Sequence, residues 1–92
     1  MKSETTEKFR LLFAAAPKDC QIRIRGAYRL WKKNPLHPSL RFKKVHPCLP
    51  IYSARVDLDW RAVGILEEST LIWFWVGPHQ QYEALLKLLL NR

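Results

Sequence analysis

Tyr52-Ser53-Ala54-Arg55-Val56, then Trp60-Arg61-Ala62-Val63-Gly64-Ile65-Leu66, then Leu71-Ile72-Trp73-Phe74-Trp75-Val76 running into Gly77-Pro78-His79-Gln80-Gln81-Tyr82: this stretch decides the fold. Each run is a short apolar segment set off by turn residues, as strands are. The breaks Asp57-Leu58-Asp59 and Glu67-Glu68-Ser69 are long enough for hairpins but too short for crossovers, which makes the sheet antiparallel. Leu71–Val76 is apolar at every position, the pattern of a central strand covered on both faces. Beyond it, Tyr82, Leu85, Leu86 and Leu89 repeat at helical spacing and predict a short C-terminal helix over about 79–90.

Upstream, Leu40–Val45 predicts one more strand, giving a sheet over about 40–77. Phe9, Leu12, Phe13 and Ala16 form an earlier helical stripe that Pro17 stops. Ser3 or Thr5 is placed to cap this helix, and Glu4 and Glu7 suit the positive end of its dipole. Asp19 is the expected cap of a second helix, in which Ile24, Ala27, Tyr28 and Trp31 share a face and Asn34-Pro35 ends the run. Ile22–Arg25 also alternates as a strand would, but the helical period continues to Trp31. The expectation is an α+β domain spanning residues 1–92: an N-terminal helical hairpin over about 4–34, packed on a three- to four-stranded antiparallel sheet, with the short helix last.

Apolar residues make up 48 % of the 92, enough for one core and too short a chain for a second. No run approaches the roughly 18 apolar residues of a membrane span, and the polar start carries no leader pattern, so a cytoplasmic protein away from membranes is expected. Cys20 and Cys48 read as small buried or half-buried hydrophobes. His37, His46, Cys48 and His79 show no zinc spacing, and no phosphate loop is present; neither metal nor cofactor is expected.

The net charge of +8 is concentrated. Between Cys20 and Val56 no acid occurs, while Arg23, Arg25, Arg29, Lys32, Lys33, Arg41, Lys43, Lys44 and Arg55 all do. A block of one sign attracts polyanions, either nucleic acid or an acidic protein, or else serves as a solvated, solubilising surface. Arg29, Lys32, Lys33, Arg41, Lys43 and Lys44 are the candidate nucleic-acid contacts. If Tyr52, Ala54 and Val56 face the core, Arg55 faces away, and Arg61 lies opposite to Trp60 and Ala62 on its own strand. The two arginines then share a face and suit phosphate, or else pair with Asp57, Asp59 or Glu67 to settle the turns. His79 lies at a strand-to-helix junction with Tyr82 three residues on, which serves either acid–base chemistry or capping and packing.

From the helical hairpin to Leu86 the chain resembles the RelE/ParE superfamily of bacterial toxins. The resemblance is carried by Asn34–Lys44, Tyr52-Ser53-Ala54-Arg55, Trp60-Arg61-Ala62 and Trp73–Tyr82, in a branch whose last strand ends in Gly-x-His-x-x-Tyr. It implies a toxin of a type II toxin–antitoxin module that cuts ribosome-bound mRNA without a metal. Arg55, Arg61, His79 and Tyr82 would be its catalytic residues, and an acidic cognate antitoxin its partner. Superfamily members that inhibit DNA gyrase without catalysis imply the alternative, and an inactive basic RNA- or protein-binding module is the third possibility.

Overall fold

The apolar strand lies inside the sheet, as its composition requires. In the computed structural model, which describes residues 1–91, the elements run β1 (Lys2–Thr5), α1 (Glu7–Ala15), α2 (Lys18–Lys33), a 3₁₀ turn (Pro38–Leu40), β2 (Lys43–Lys44), β3 (Ile51–Arg55), β4 (Trp60–Glu67), β5 (Thr70–Pro78) and α3 (His79–Leu90). They form one five-stranded sheet in the order β1-β5-β4-β3-β2. The expected antiparallel hairpins β3–β4 and β4–β5 are present, the second closed by Glu68-Ser69 with Glu68 at φ 56°.

The α+β class holds, with two corrections to the sheet. It has five strands rather than three or four, and it is mixed, because β1 runs parallel to β5 with Ser3 opposite Leu71. Lys2-Ser3-Glu4-Thr5 is wholly polar, so periodicity gave no sign of a strand; its backbone is satisfied by β5 at a sheet edge where polar residues are tolerated. The first helix therefore begins later, with Thr6 as its cap: Thr6 Oγ1 accepts from the Phe9 amide at 3.1 Å. Asp19 sits in the first turn of α2 rather than at its cap, which is Pro17. The expected strand Leu40–Val45 shrinks to Lys43–Lys44, because Leu40 belongs to the 3₁₀ turn and Arg41 takes a left-handed conformation at φ 43°.

A bulge in β5 gives the sheet its two cores. Val63 pairs with Trp75 and Gly64 with Trp73, which leaves Phe74 as an extra residue. Trp73 consequently joins Ala54, Ala62 and Val76 under α1 and α2, while Trp75 joins Ile51, Val63 and Tyr82 under α3. On the hairpin side Trp31, only 1 % exposed, meets Trp73 edge-on at 5.3 Å and Phe42 at 5.7 Å. Truncating such a residue to alanine costs about 3–5 kcal/mol, a large share of the stability of a domain this small. Cys20 is buried in this core and Cys48 is exposed, so the expectation of a small buried hydrophobe holds for Cys20 only; both are free thiols.

Two outcomes follow. Burial, helped by neighbouring Asp19, raises the Cys20 thiol pKa, so at neutral pH an alkylating reagent modifies Cys48 well before Cys20 by peptide mass spectrometry. Gly77 lies so close to Trp75 that an added Cβ would meet the indole at 2.8 Å. Gly77→Ala therefore lowers stability by about 1–3 kcal/mol in urea unfolding; an unchanged midpoint would show that Trp75 shifts freely.

Candidate active site and nucleic-acid groove

The turn between β3 and β4 sets the site. Asp57 Oδ1 accepts from the amides of Asp59 (2.8 Å) and Trp60 (2.9 Å), a side-chain-closed turn of the kind Asp favours. The turn's carbonyls then hold two of the candidate site residues. Arg61 Nη1 donates to Asp57 O at 2.7 Å and Trp60 O at 3.0 Å, and the His79 amide donates to Asp59 O at 2.6 Å. The first residue of α3 is thus bonded to the loop that orients Arg61.

Register does the rest. Arg55 and Arg61 are direct partners across the β3–β4 ladder and share a face, as alternation predicts. That face is not bare: α3 covers part of it, and what remains is a groove of about 520 Å³. Arg41, Lys43, Lys44, Arg55, Arg61, His79 and Tyr82 line it, with Glu83 as its one acid. The turn acids do not neutralise the arginines among the described residues. Asp57 pairs instead with Arg23 at 3.4 Å, and Arg61 bonds backbone carbonyls, leaving most of its guanidinium donors unspent. Like charges placed opposite each other in a ladder are unfavourable. A bound polyanion removes that repulsion.

His79 and Tyr82 differ sharply in setting. The His79 side chain is 44 % exposed, with Nε2 3.5 Å from Glu83 Oε1 one helical turn on. Tyr82 is buried, packs 6.5 Å from Trp75 and 5.8 Å from His79, and donates its hydroxyl to buried Ser53 Oγ at 3.1 Å. Its hydroxyl therefore does not reach water.

The structure brings together all four catalytic candidates and three of the six nucleic-acid candidates, Arg41, Lys43 and Lys44. Arg29, Lys32 and Lys33 lie on α2, which packs against the opposite face of the sheet. Sequence reasoning did not assign parts to Ser53, Glu83 or His46. The i,i+4 spacing from His79 to Glu83 was a usable signal, whereas the Ser53–Tyr82 bond depends on where α3 docks. His46 Nδ1 accepts from the amides of Cys48 (3.0 Å) and Leu49 (2.9 Å), so Nε2 carries the proton and donates to Leu89 O at 3.1 Å. One buried imidazole thereby ties the β2–β3 loop to the end of α3. Among the described residues no three His, Cys, Asp or Glu side chains converge to hold a metal, and no helix is long and apolar enough to cross a membrane.

A small mixed sheet with a helical hairpin on one face and a C-terminal helix on the other matches the fold of the RelE/ParE toxins. A family model described as a ParE-like toxin domain matches residues 18–84, and the chain belongs to that family. Among solved structures, YafQ from E. coli strain BL21(DE3) is similar over 88 % of this chain and 96 % of its own, with TM-score 0.71 and 17 % identity. A chain of the RelB–RelE antitoxin–toxin complex from Methanococcus jannaschii gives 0.69 at 17 % identity over 88 % and 95 % of the two chains. The YoeB/ParE toxin from Agrobacterium tumefaciens gives 0.67 at 16 % identity over 86 % and 99 %. No curated protein sequence matches the chain.

His46→Ala removes three hydrogen bonds and leaves the part-buried bonds of the Cys48 and Leu49 amides without their acceptor. It should cost about 1–3 kcal/mol and increase amide exchange selectively in the β2–β3 loop and the last turn of α3. Uniform exchange across the sheet would instead mean that the imidazole serves global stability alone.

Proposed function

We propose that this protein is the toxin of a type II toxin–antitoxin module, a metal-independent endoribonuclease that cuts mRNA on the ribosome in the cytoplasm and is silenced by an acidic antitoxin. The observation that carries this reading is the pairing of Arg55 with Arg61 in one groove with His79, with no acid among the described residues bonded to either arginine. Phosphodiester cleavage by the neighbouring 2′-hydroxyl needs three things: a held phosphate, donors for the extra charge of the transition state, and a proton carrier at the departing 5′-oxygen or the attacking hydroxyl.

Arg55 and Arg61 supply the donors, and Arg61 is held for the task by the turn carbonyls. His79, exposed to the groove and bonded through its backbone to the same turn, moves the proton. Tyr82 lines the site with its hydroxyl committed to Ser53, so its part is to hold the α3 wall against β3. Arg41, Lys43 and Lys44 guide the strand by its phosphates. RelB in the M. jannaschii complex is an antitoxin bound to a chain of this fold. A cognate partner of this kind would be acidic, to match the groove.

His79→Ala and Arg61→Ala should each lower the rate of mRNA cutting on programmed ribosomes by about 10²-fold or more and abolish growth arrest, with circular dichroism unchanged. Full toxicity in both variants would remove the catalytic assignment. The ParE-like family model makes non-catalytic inhibition of gyrase the second reading. Blocked DNA supercoiling with intact RNA and undiminished methionine incorporation would establish it.

A further inference from the structure

The groove has a neighbour. Arg55 also lines a second cavity, a half-open cleft of about 370 Å³ between α2, the 3₁₀ turn and the end of β3. The β2–β3 ladder ends at the pair Lys43–Ser53, before Arg55, so among the described residues no strand walls off β3 at that point. Arg55 thus borders both cavities at a free stretch of sheet edge.

One wall of this cleft is a glycine that packing does not explain. Gly26 lies inside α2, where glycine is less stable than alanine because it surrenders more backbone freedom. The two structural reasons that commonly keep a glycine in place are missing. Its φ is not positive, and an added Cβ would meet no described packing neighbour within 4 Å. What the absent side chain does is leave the cleft open. A helix weakened for the sake of empty space is a sign that something occupies the space.

The lining selects the ligand. Ala27, Leu30, Leu40 and Val56 give an aliphatic surface on which a flat ring can lie. Beside it stand a donor and an acceptor. Arg23 meets Asp19 and Asp57 through Nη1 alone, both at 3.4 Å, so its other guanidinium donors are open among the described residues. Asp57 spends Oδ1 on two turn amides, and its Oδ2 keeps acceptor capacity. A flat ring that carries donors and acceptors on one edge is a nucleobase, and unpaired bases are read on such edges. An acidic peptide would instead meet the Asp57 carboxylate as a like charge.

On the nuclease reading of the groove, on which this assignment rests, we propose that the cleft is a base-binding subsite: it seats the nucleobase next to the scissile phosphate of a single RNA strand. Arg55, which borders both cavities, meets the phosphate between them. A seated base fixes the register of the strand before the 2′-hydroxyl attacks, and proton transfer is left to His79.

The test is binding of the full chain to labelled RNA tetranucleotides, blocked against cleavage by 2′-O-methyl groups, measured by fluorescence anisotropy. In a second set of probes each base in turn is replaced by an abasic sugar. Wild type should lose roughly tenfold in affinity at one position, the worth of one seated base. Gly26→Leu, which fills the cleft, should bind the intact probe roughly tenfold more weakly and lose nothing further at that position. Its urea midpoint should stand at or above that of wild type, because leucine favours the helix and its Cβ has room. Gly26→Ala should share the gain in midpoint with a smaller loss of binding, which separates a filled cleft from a damaged fold. An abasic loss of equal size in wild type and Gly26→Leu would overturn the subsite and leave the nuclease reading standing, as would equal binding of every abasic probe by wild type. If the loss vanishes in Gly26→Leu while Arg61→Ala and His79→Ala still arrest growth, the subsite survives and the nuclease reading fails. A Gly26→Leu defect confined to polyglutamate binding would overturn the assignment to RNA and give the cleft to an acidic protein.

Discussion

One extra residue in β5 governs the architecture. Because side chains alternate along a strand, an insertion of one residue sends everything beyond it to the opposite face. Phe74 is that residue. Before it, Leu71 and Trp73 serve the core beneath the hairpin; after it, Trp75 turns to the other side and gives α3 an aromatic platform. An unbroken ladder would place Trp75 beside Trp73 and leave Tyr82 without its ring partner. The same shift sets Gly77 opposite Arg61, where the absence of a side chain lets Trp75 fold back over the strand end.

The candidate site is therefore a product of packing on the face that α3 half covers. Helix α3 reaches the sheet through three kinds of bond: apolar contact with Trp75 and Ile51, the Tyr82–Ser53 hydrogen bond, and the two backbone ties at its ends. At the near end the Asp59 carbonyl fixes His79; at the far end His46 fixes Leu89. Between these anchors the helix covers only part of the face and leaves the arginines open to the groove. The two faces of the sheet thus have different work, one closed by the hairpin and the other kept partly open around fixed cations.

Much of this was legible in the residues. Alternation in β3 and β4 put Arg55 and Arg61 on one face, and the apolar run of β5 announced a strand covered on both sides. The helical hairpin followed from stripes of period 3.6. Illegible features were those decided by distant partners. Strand β1 has no apolar residue and exists because β5 offers it a ladder, and Leu40–Val45 lost its strand to a left-handed Arg41. Charge along the chain did not reveal that Arg29, Lys32 and Lys33 lie on a different face from Arg41, Lys43 and Lys44, since that depends on how α2 is rotated against the sheet.

The direct opposition of Arg55 and Arg61 has an evolutionary reading. Replacing Arg55 with a neutral, β-favouring residue such as threonine relieves repulsion in the ladder, and Arg55 holds no turn together as Arg61 does. Under the proposed nuclease reading, loss of Arg55 is then thermodynamically downhill for the fold, the usual direction of a trade-off between stability and function. Variants that lose Arg55 would be the more stable proteins, and the groove keeps its two facing guanidinium groups against the preference of the ladder.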